Sequence, residues 1–228
     1  TPCTLTILGV IMFLLFGQVV GNAGLWAAIG IVLLAKLITT ITAFSVSAIA
    51  TNTQVKGGGA YFMISRSLGV ESGGSIGLVF FLAQAVSVAM YVIGFTEAFV
   101  ATFPSMAGHT QAVASTVNLL VFVCVFIGAG WTIRLQYAIL AVLFVSILSF
   151  AVGGIVLFSP DRLRENLGTG FGEGQNFFTM FALFFPAATG IMAGANMSGD
   201  LKDPAKSIPR GTIGAIFFTG AVYIGMAV

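Results

Sequence analysis

Long apolar runs with almost no charged side chains dominate this sequence. A helix that crosses the hydrocarbon core of a bilayer needs roughly 20 mostly apolar residues. Runs of this kind are predicted to form spans at Leu5–Val20, Leu25–Ala50, Ser75–Phe103, Gln111–Trp131, Leu135–Phe158, Asn176–Gly199 and from Gly211 onward. Because the runs do not alternate polar and apolar residues, they exclude the strands of a membrane β-barrel. The sequence predicts an all-α polytopic membrane protein.

The composition excludes several other classes of protein. Only 7% of the 228 residues are charged and 58% are hydrophobic, whereas a soluble domain has about 25% charged residues. A soluble domain, a disordered region and a nucleic-acid binder are therefore excluded, and a net charge of +2 is too small to favour a polyanionic partner. Cys3 and Cys124 are too few for a zinc site. Lys56–Gly59 lacks the spacing of a phosphate-binding loop. We expect no enzymatic activity, no catalytic residue and no prosthetic cofactor.

The ends and the distribution of basic residues predict how the chain sits in the membrane. It begins at Thr1 and runs apolar through Ala215–Val228, so we expect the interior part of a longer membrane protein. Lys and Arg favour cytoplasmic loops. With the N-terminus inside, the cytoplasmic loops hold Lys56, Arg66, Arg134, Lys202, Lys206 and Arg210, and the opposite loops hold Arg162 and Arg164. This asymmetry predicts a cytoplasmic N-terminus.

Two of the predicted spans contain residues that interrupt helices. Phe177–Phe185 forms one half-helix, Pro186–Gly190 interrupts it, and the pattern resumes over Ile191–Asn196. This is either a proline kink or a broken helix near the midplane, where free carbonyls bind cations and free N–H groups bind anions. In the first span, Gly9 and Gly17 are candidates for a second break. The Gly17–Gly21 spacing by itself favours a helix-packing face.

Two polar residues lie deep within predicted spans. Tyr91 is 16 residues past Ser75 and 12 before Phe103, a position nearer the midplane than the headgroups. It is either an interfacial tyrosine or a ligand. Lys36 is charged and lies mid-span, so it needs water or a partner. It either snorkels along a cavity or acts in a polar pathway through the membrane.

Three stretches of this sequence resemble a known family. They are Ser47–Gly69, which contains Ala60-Tyr61-Phe62-Met63-Ile64-Ser65-Arg66, Val88–Phe95, and Phe184–Asp203. Together they resemble the cation–chloride cotransporters of the amino acid–polyamine–organocation superfamily, and the last two are most similar to the sodium-potassium-chloride branch. The resemblance extends over nearly the whole chain.

The resemblance implies a fold, a function and a setting. The fold is LeuT-like, with inverted five-helix repeats. It assigns 1–158 to the first repeat, 159–174 to an extracellular loop and 175–228 to the first two helices of the second repeat. The implied activity couples chloride to an alkali cation, K⁺ and/or Na⁺, by alternating access. An amino-acid or polyamine permease is the alternative. Small inorganic ions and the lipid bilayer are the implied partners, with a homodimer possible by resemblance, in the plasma membrane.

The resemblance also implies two kinds of ion site. The implied cation ligands are Thr6, Ile7 through its carbonyl, Tyr91, Pro186 and Thr189. The implied chloride ligands are the backbone of Gly9, Val10 and Ile11 and that of Gly190, Ile191 and Met192. The resemblance therefore implies that both the first and the sixth span are broken helices, and that the first is broken at Gly9 rather than at Gly17.

Two positions depart from the family pattern. Thr6 stands where the family usually has Asn, which puts coordination of a large cation in doubt, because the Thr6 hydroxyl can instead bond to a helix carbonyl. Lys36 stands where relatives are apolar or hydroxylic, and its ammonium is a candidate internal counter-charge for chloride.

Overall fold

The structure, a computed structural model, describes residues 1–53, 55–168 and 170–228, and helices are the only regular secondary structure among them. Residue 169, in the predicted loop 159–174, lies outside them. The helices are α1 (Pro2–Ile7), α2 (Val10–Ala23), α3 (Leu25–Asn52), α4 (Gly59–Leu68), α5 (Val70–Thr102), α6 (Thr110–Ile127), α7 (Ala129–Val156), α8 (Pro160–Asn166), α9 (Phe177–Ala188), α10 (Ala193–Asn196) and α11 (Pro204–Ala227). Short 3₁₀ helices cover Pro104–His109 and Ser198–Asp200.

Six stretches of the described chain are long and apolar enough to cross a membrane. They are Leu25–Asn52, Val70–Thr102, Pro104–Ile127, Gly130–Val156, Phe177–Asn196 and Pro204–Ala227. The first predicted span is divided into α1 and the shorter apolar helix α2. The all-α polytopic architecture predicted from the sequence is therefore confirmed.

Several helix boundaries differ from the predicted ones because of local capping. Helix α6 ends at Gly128, whose φ of +122° suits a residue without a side chain. The predicted loop between Trp131 and Leu135 is therefore wrong, and Arg134 lies within α7. The segment between the predicted spans Leu25–Ala50 and Ser75–Phe103 contains a further helix, α4, and α5 begins at Val70 rather than at Ser75.

The last helix begins earlier than predicted. It starts at Pro204 rather than at Gly211, because proline suits the first helical turn and the Asp203 carboxylate accepts a hydrogen bond from the Lys206 N–H. Lys206 and Arg210 therefore lie in α11, not in a loop. The Lys206 ammonium is 3.0 Å from the Asp203 carboxylate. This hydrogen bond holds the pKa of the Asp203 carboxyl below its usual value.

The buried core lies among the interrupted helices and two long ones. Helix α3 packs along α11, both α2 and α3 contact α9, and α1 and α10 contact α11. Helix α6 has no buried residue among those described, and apolar side chains of α6 and α7 such as Phe126 and Ile155 are largely exposed. Outward apolar side chains are what a bilayer-facing surface requires.

The loop between α3 and α4 touches the end of the sixth segment, backbone against backbone. A Cβ added to Gly59 would lie 2.9 Å from the Asn196 side-chain oxygen, and one added to Gly199 would lie 3.4 Å from the Gly57 Cα. The Ser198 hydroxyl donates a hydrogen bond of 2.9 Å to the Lys56 carbonyl. The glycines of this loop therefore serve close packing.

Candidate ion-binding site at two helix breaks

The first break separates α1 from α2 at Leu8 and Gly9. Helix α1 ends at Ile7 and α2 begins at Val10, and the Gly9 backbone is extended, with φ −86° and ψ −163°. A Cβ added to Gly9 would lie 3.2 Å from the Thr6 carbonyl oxygen. The break expected at Gly9 is confirmed.

Gly17 and Gly21 have a different environment from the one that their spacing predicts. Gly17 lies inside α2, where the helix continues without interruption. A Cβ added to either glycine would meet no heavy atom within 4 Å. The packing face predicted from the Gly17–Gly21 spacing is therefore wrong for the described part of the chain, because no neighbouring helix comes close to it.

The second break separates α9 from α10 over Thr189–Met192. Pro186 lies in the last turn of α9, and Gly190 has a φ of +98°. The helix resumes at Ala193 rather than at the predicted Ile191, and α10 is only four residues long. The break is confirmed, but the predicted second half-helix is shorter than expected because the turn at Ile191 and Met192 precedes it.

The backbone N–H groups of the second break are free of protein partners in the described residues. The N–H groups of Thr189 and Ala193 donate to the carbonyls of Pro186 and Gly190. None of the hydrogen bonds described has the N–H of Gly190, Ile191 or Met192 as its donor. Three adjacent free N–H groups are an arrangement that binds anions.

The two breaks lie against each other. The Thr6 hydroxyl is 3.0 Å from the Gly190 carbonyl oxygen, and a Cβ on Gly190 would lie 2.8 Å from the Thr6 Cβ. Cys3 Sγ donates to the Ile191 carbonyl at 3.3 Å and accepts from the Gly194 N–H at 3.3 Å. The end of α1 is therefore fixed directly to the second break.

One cavity of about 570 Å³ lies beside the first break. Among the predicted ion ligands, Thr6, Gly9, Val10 and Tyr91 line it. Tyr91 is 39% exposed and is one of the residues that line this cavity. The cavity thus brings together two predicted cation ligands and two predicted chloride ligands.

The predicted cation ligands already take part in protein hydrogen bonds. The Thr6 hydroxyl is 3.0 Å from the carbonyl oxygens of both Pro2 and Cys3, so the helix back-bonding expected of threonine is confirmed. The Thr189 hydroxyl donates to the Pro186 carbonyl at 2.6 Å. Hydroxyl and carbonyl oxygens are suitable ligands for an alkali cation. A bound cation has to share these oxygens with the existing donors.

The Ile7 carbonyl has a partner that sequence reasoning missed. The Tyr223 hydroxyl lies 2.8 Å from the Ile7 carbonyl oxygen and 3.0 Å from that of Ala187. The Tyr223 side chain is fully buried, and its ring centroid is 5.1 Å from those of Phe16 and Phe184. A tyrosine within an apolar run needs a polar partner, which was the one signal in the sequence.

Lys36 lies next to Tyr223. Its ammonium donates to the Thr219 hydroxyl at 2.8 Å and lies 5.1 Å from the centroid of the Tyr223 ring. The Lys36 side chain is 8% exposed. The snorkelling alternative is therefore wrong, because packing against α11 keeps the ammonium buried.

Two interrupted helices in contact at their breaks, surrounded by long apolar helices, define a polytopic membrane protein with the LeuT-like fold. The family model described as amino acid permease matches residues 1–228, and the chain belongs to this family.

The relatives are solute carriers. The chain is 44% identical over 245 residues to solute carrier family 12 member 1 of Mus musculus, covering 99% of this chain and 22% of the relative. It is 45% identical over 244 residues to solute carrier family 12 member 2 of Danio rerio, covering 99% of this chain and 21% of the relative. The chain thus spans about a fifth of the length of the curated relatives it matches. The resemblance to cation–chloride cotransporters is confirmed.

Proposed function

We propose that the full-length protein containing this chain is a secondary-active cotransporter that couples chloride to an alkali cation, K⁺ and/or Na⁺, by alternating access. The observation that carries the proposal is the contact between the two breaks, where the Thr6 hydroxyl meets the Gly190 carbonyl. Oxygen ligands for a cation and free N–H groups for an anion lie within a few residues of each other there.

The anion side of the proposal uses the backbone. The N–H groups of Gly190, Ile191 and Met192 have no protein acceptor among the described hydrogen bonds. At the first break, Gly9, Val10 and Ile11 precede or begin the 14-residue helix α2, whose N-terminal end carries a partial positive charge. The backbone N–H groups at both breaks suit chloride, which accepts hydrogen bonds and needs no particular side chain as a ligand.

The cation side uses hydroxyl and carbonyl oxygens. Tyr91 and Thr6 line one cavity. Pro186 and Thr189 come just before Gly190 in the sequence. A dehydrated K⁺ or Na⁺ must replace its water ligands with several such oxygens. The Ile7 carbonyl completes the proposed set.

The test is chloride-dependent Rb⁺ uptake by the full-length protein, measured against Rb⁺ concentration with and without Na⁺. We expect Tyr91→Phe to raise the half-saturating Rb⁺ concentration about fivefold, because a hydrogen-bonding oxygen in a dry site is worth about 1–3 kcal/mol. Tyr137→Phe is the matched control, because it removes a hydroxyl from a tyrosine that is 60% exposed. Absence of chloride dependence in the unmodified protein contradicts the proposal.

An amino-acid or polyamine permease is the second candidate. It is supported by the description of the matching family and by a cavity of about 570 Å³, which has room for an organic substrate. Uptake of labelled amino acids or polyamines without chloride dependence would establish this candidate in place of the cotransporter.

The orientation and setting are also proposals. We propose a multi-pass plasma-membrane protein with its N-terminus in the cytoplasm, because most Lys and Arg lie near one set of helix ends. Single cysteines at the exposed positions Ser67 and Ser207 should react with a membrane-impermeant thiol reagent only from the cytoplasm, and one at Ser105 only from outside. Labelling of Ser67 and Ser105 from the same side contradicts this topology. Crosslinking in native membranes tests the proposed homodimer.

A further inference from the structure

We propose that Tyr223 is a positioning residue for the cation site, and that it holds the last carbonyls of the two half-helices α1 and α9. This inference rests on the proposed cotransport function. It assigns to α11, which contributes no ligand to the proposed site, a direct effect on the affinity for the cation.

The argument begins with the carbonyls that Tyr223 contacts. Ile7 is the last residue of α1, and Ala187 lies in the last turn of α9. Carbonyls at these positions have no intrahelical donor, so a buried one needs another partner. The Tyr223 hydroxyl, at 2.8 Å from one carbonyl oxygen and 3.0 Å from the other, is within hydrogen-bond distance of both helix ends.

The hydroxyl is held in place by its ring. The Tyr223 ring meets Phe16 and Phe184 edge-on, each at a centroid distance of 5.1 Å. Phe16 belongs to the second half of the first segment, and Phe184 belongs to α9. Both broken segments therefore contact the ring as well as the hydroxyl. One side chain thus sets the separation between the Ile7 and Ala187 carbonyls.

A single hydroxyl hydrogen is shared between two acceptors. Tyrosine has one O–H donor, so it can donate to only one of the two carbonyls at a time. When a cation takes the Ile7 carbonyl oxygen, the hydrogen is free to turn to Ala187. Without the cation, the hydroxyl satisfies one of the two carbonyls at a time; with a cation on the Ile7 carbonyl oxygen, it satisfies the Ala187 carbonyl.

Lys36 acts through Tyr223. Its ammonium lies 5.1 Å from the ring centroid and is bonded to Thr219, one helical turn before Tyr223. The Lys36 stem packs over Gly220, and its carbons lie 3.7–3.9 Å from where a Cβ of residue 220 would be. A cation over the ring draws electron density from it and makes the hydroxyl a stronger donor.

The experiment compares Rb⁺ half-saturation and maximal uptake rate, normalised to protein at the surface. Tyr223→Phe keeps the ring and removes the hydroxyl. We expect the half-saturating Rb⁺ concentration to rise about tenfold while the maximal rate changes less than twofold. Lys36→Met should raise the half-saturating Rb⁺ concentration about threefold. The double variant should match Tyr223→Phe alone, because residues that act through one group are not additive. Tyr137→Phe serves as the control and should leave both quantities unchanged.

Each other outcome has a defined meaning. An unchanged Rb⁺ half-saturation in Tyr223→Phe, or a loss of maximal rate alone, overturns the inference and leaves Tyr223 a packing residue. If Tyr223→Phe does not reach the surface, Lys36→Met decides, and an unchanged half-saturation there overturns the inference. If the unmodified protein shows no chloride-dependent Rb⁺ uptake, it is the proposed function that fails.

Discussion

The two helix breaks lie side by side but interrupt their helices by different means. The first is made by Leu8 and Gly9, neither of which has a positive φ. The second follows Pro186 and passes through Gly190, whose φ is +98°. The first conformation is open to other residues, whereas the second requires glycine.

The helices that follow the breaks also differ. The first break leads into α2, with 14 residues, and the second leads into α10, with four. A partial charge at a helix end builds up over several turns of aligned peptides, so α2 offers an anion a substantial helix dipole and α10 offers little. Anion binding at the second break then depends on the three free N–H groups themselves. An anion at the first break is therefore stabilised by the dipole of α2, whereas an anion at the second break is stabilised by the three free N–H groups.

The largest expected effect is at Gly190. Gly190→Ala keeps the N–H group but adds a Cβ at positive φ, 2.8 Å from the Thr6 Cβ. Strain of this kind costs about 1–3 kcal/mol, so we expect chloride-dependent uptake to fall at least tenfold. Gly190→Pro also removes the N–H group, and its fixed φ cannot reach +98°, so uptake should be lost. Normal uptake in Gly190→Pro would show that chloride does not bind at this backbone.

The next effect concerns Thr6, which joins the two breaks. Its hydroxyl lies 3.0 Å from three carbonyl oxygens, so its hydrogen is donated to one of them, and the short side chain offers a cation one hydroxyl oxygen close to the α1 backbone. Thr6→Asn supplies an amide carbonyl on a longer side chain, and we expect it to lower the half-saturating Rb⁺ concentration about fivefold. Thr6→Ala is the control and should raise it. If both variants match the unmodified protein, no cation binds beside Thr6.

The smallest effect is expected at Gly9. It tests directly whether the first break tolerates a side chain that the second break does not. Gly9→Ala places a Cβ 3.2 Å from the Thr6 carbonyl oxygen at an ordinary backbone conformation. A shift of a few tenths of an ångström accommodates it, so chloride-dependent uptake should stay within about twofold of normal. A loss as large as that of Gly190→Ala would mean that the two breaks are equally intolerant of a side chain.

The sequence predicted the architecture because length and apolarity decide it. At the second break, Pro186 and Gly190 predicted either a proline kink or a broken helix, and the family resemblance chose the break. The first break has no proline, and the residues alone favoured a packing role for Gly17 over a break. The family resemblance supplied the choice of Gly9.

Other features depend on contacts that local sequence does not encode. Tyr223 meets Ile7 across a separation of 216 residues, and no pattern around either residue marks that contact. The end of α6 at Gly128 was missed because polar residues a few positions later suggested a loop. The start of α11 at Pro204 follows from the proline and the Asp203 cap. The apolar run alone predicts a start at Gly211.

The contact between the α3–α4 loop and the end of the sixth segment has a mechanical consequence. A Cβ on Gly59 would lie 2.9 Å from the Asn196 side-chain oxygen and one on Gly199 would lie 3.4 Å from the Gly57 Cα, and the Ser198 hydroxyl donates to the Lys56 carbonyl. These close contacts leave the two segments little room to move relative to each other. We expect a displacement of α10 to move α4 as well, which packs along α5. The second break is thereby connected through direct contacts to helices that contribute to neither side of that break.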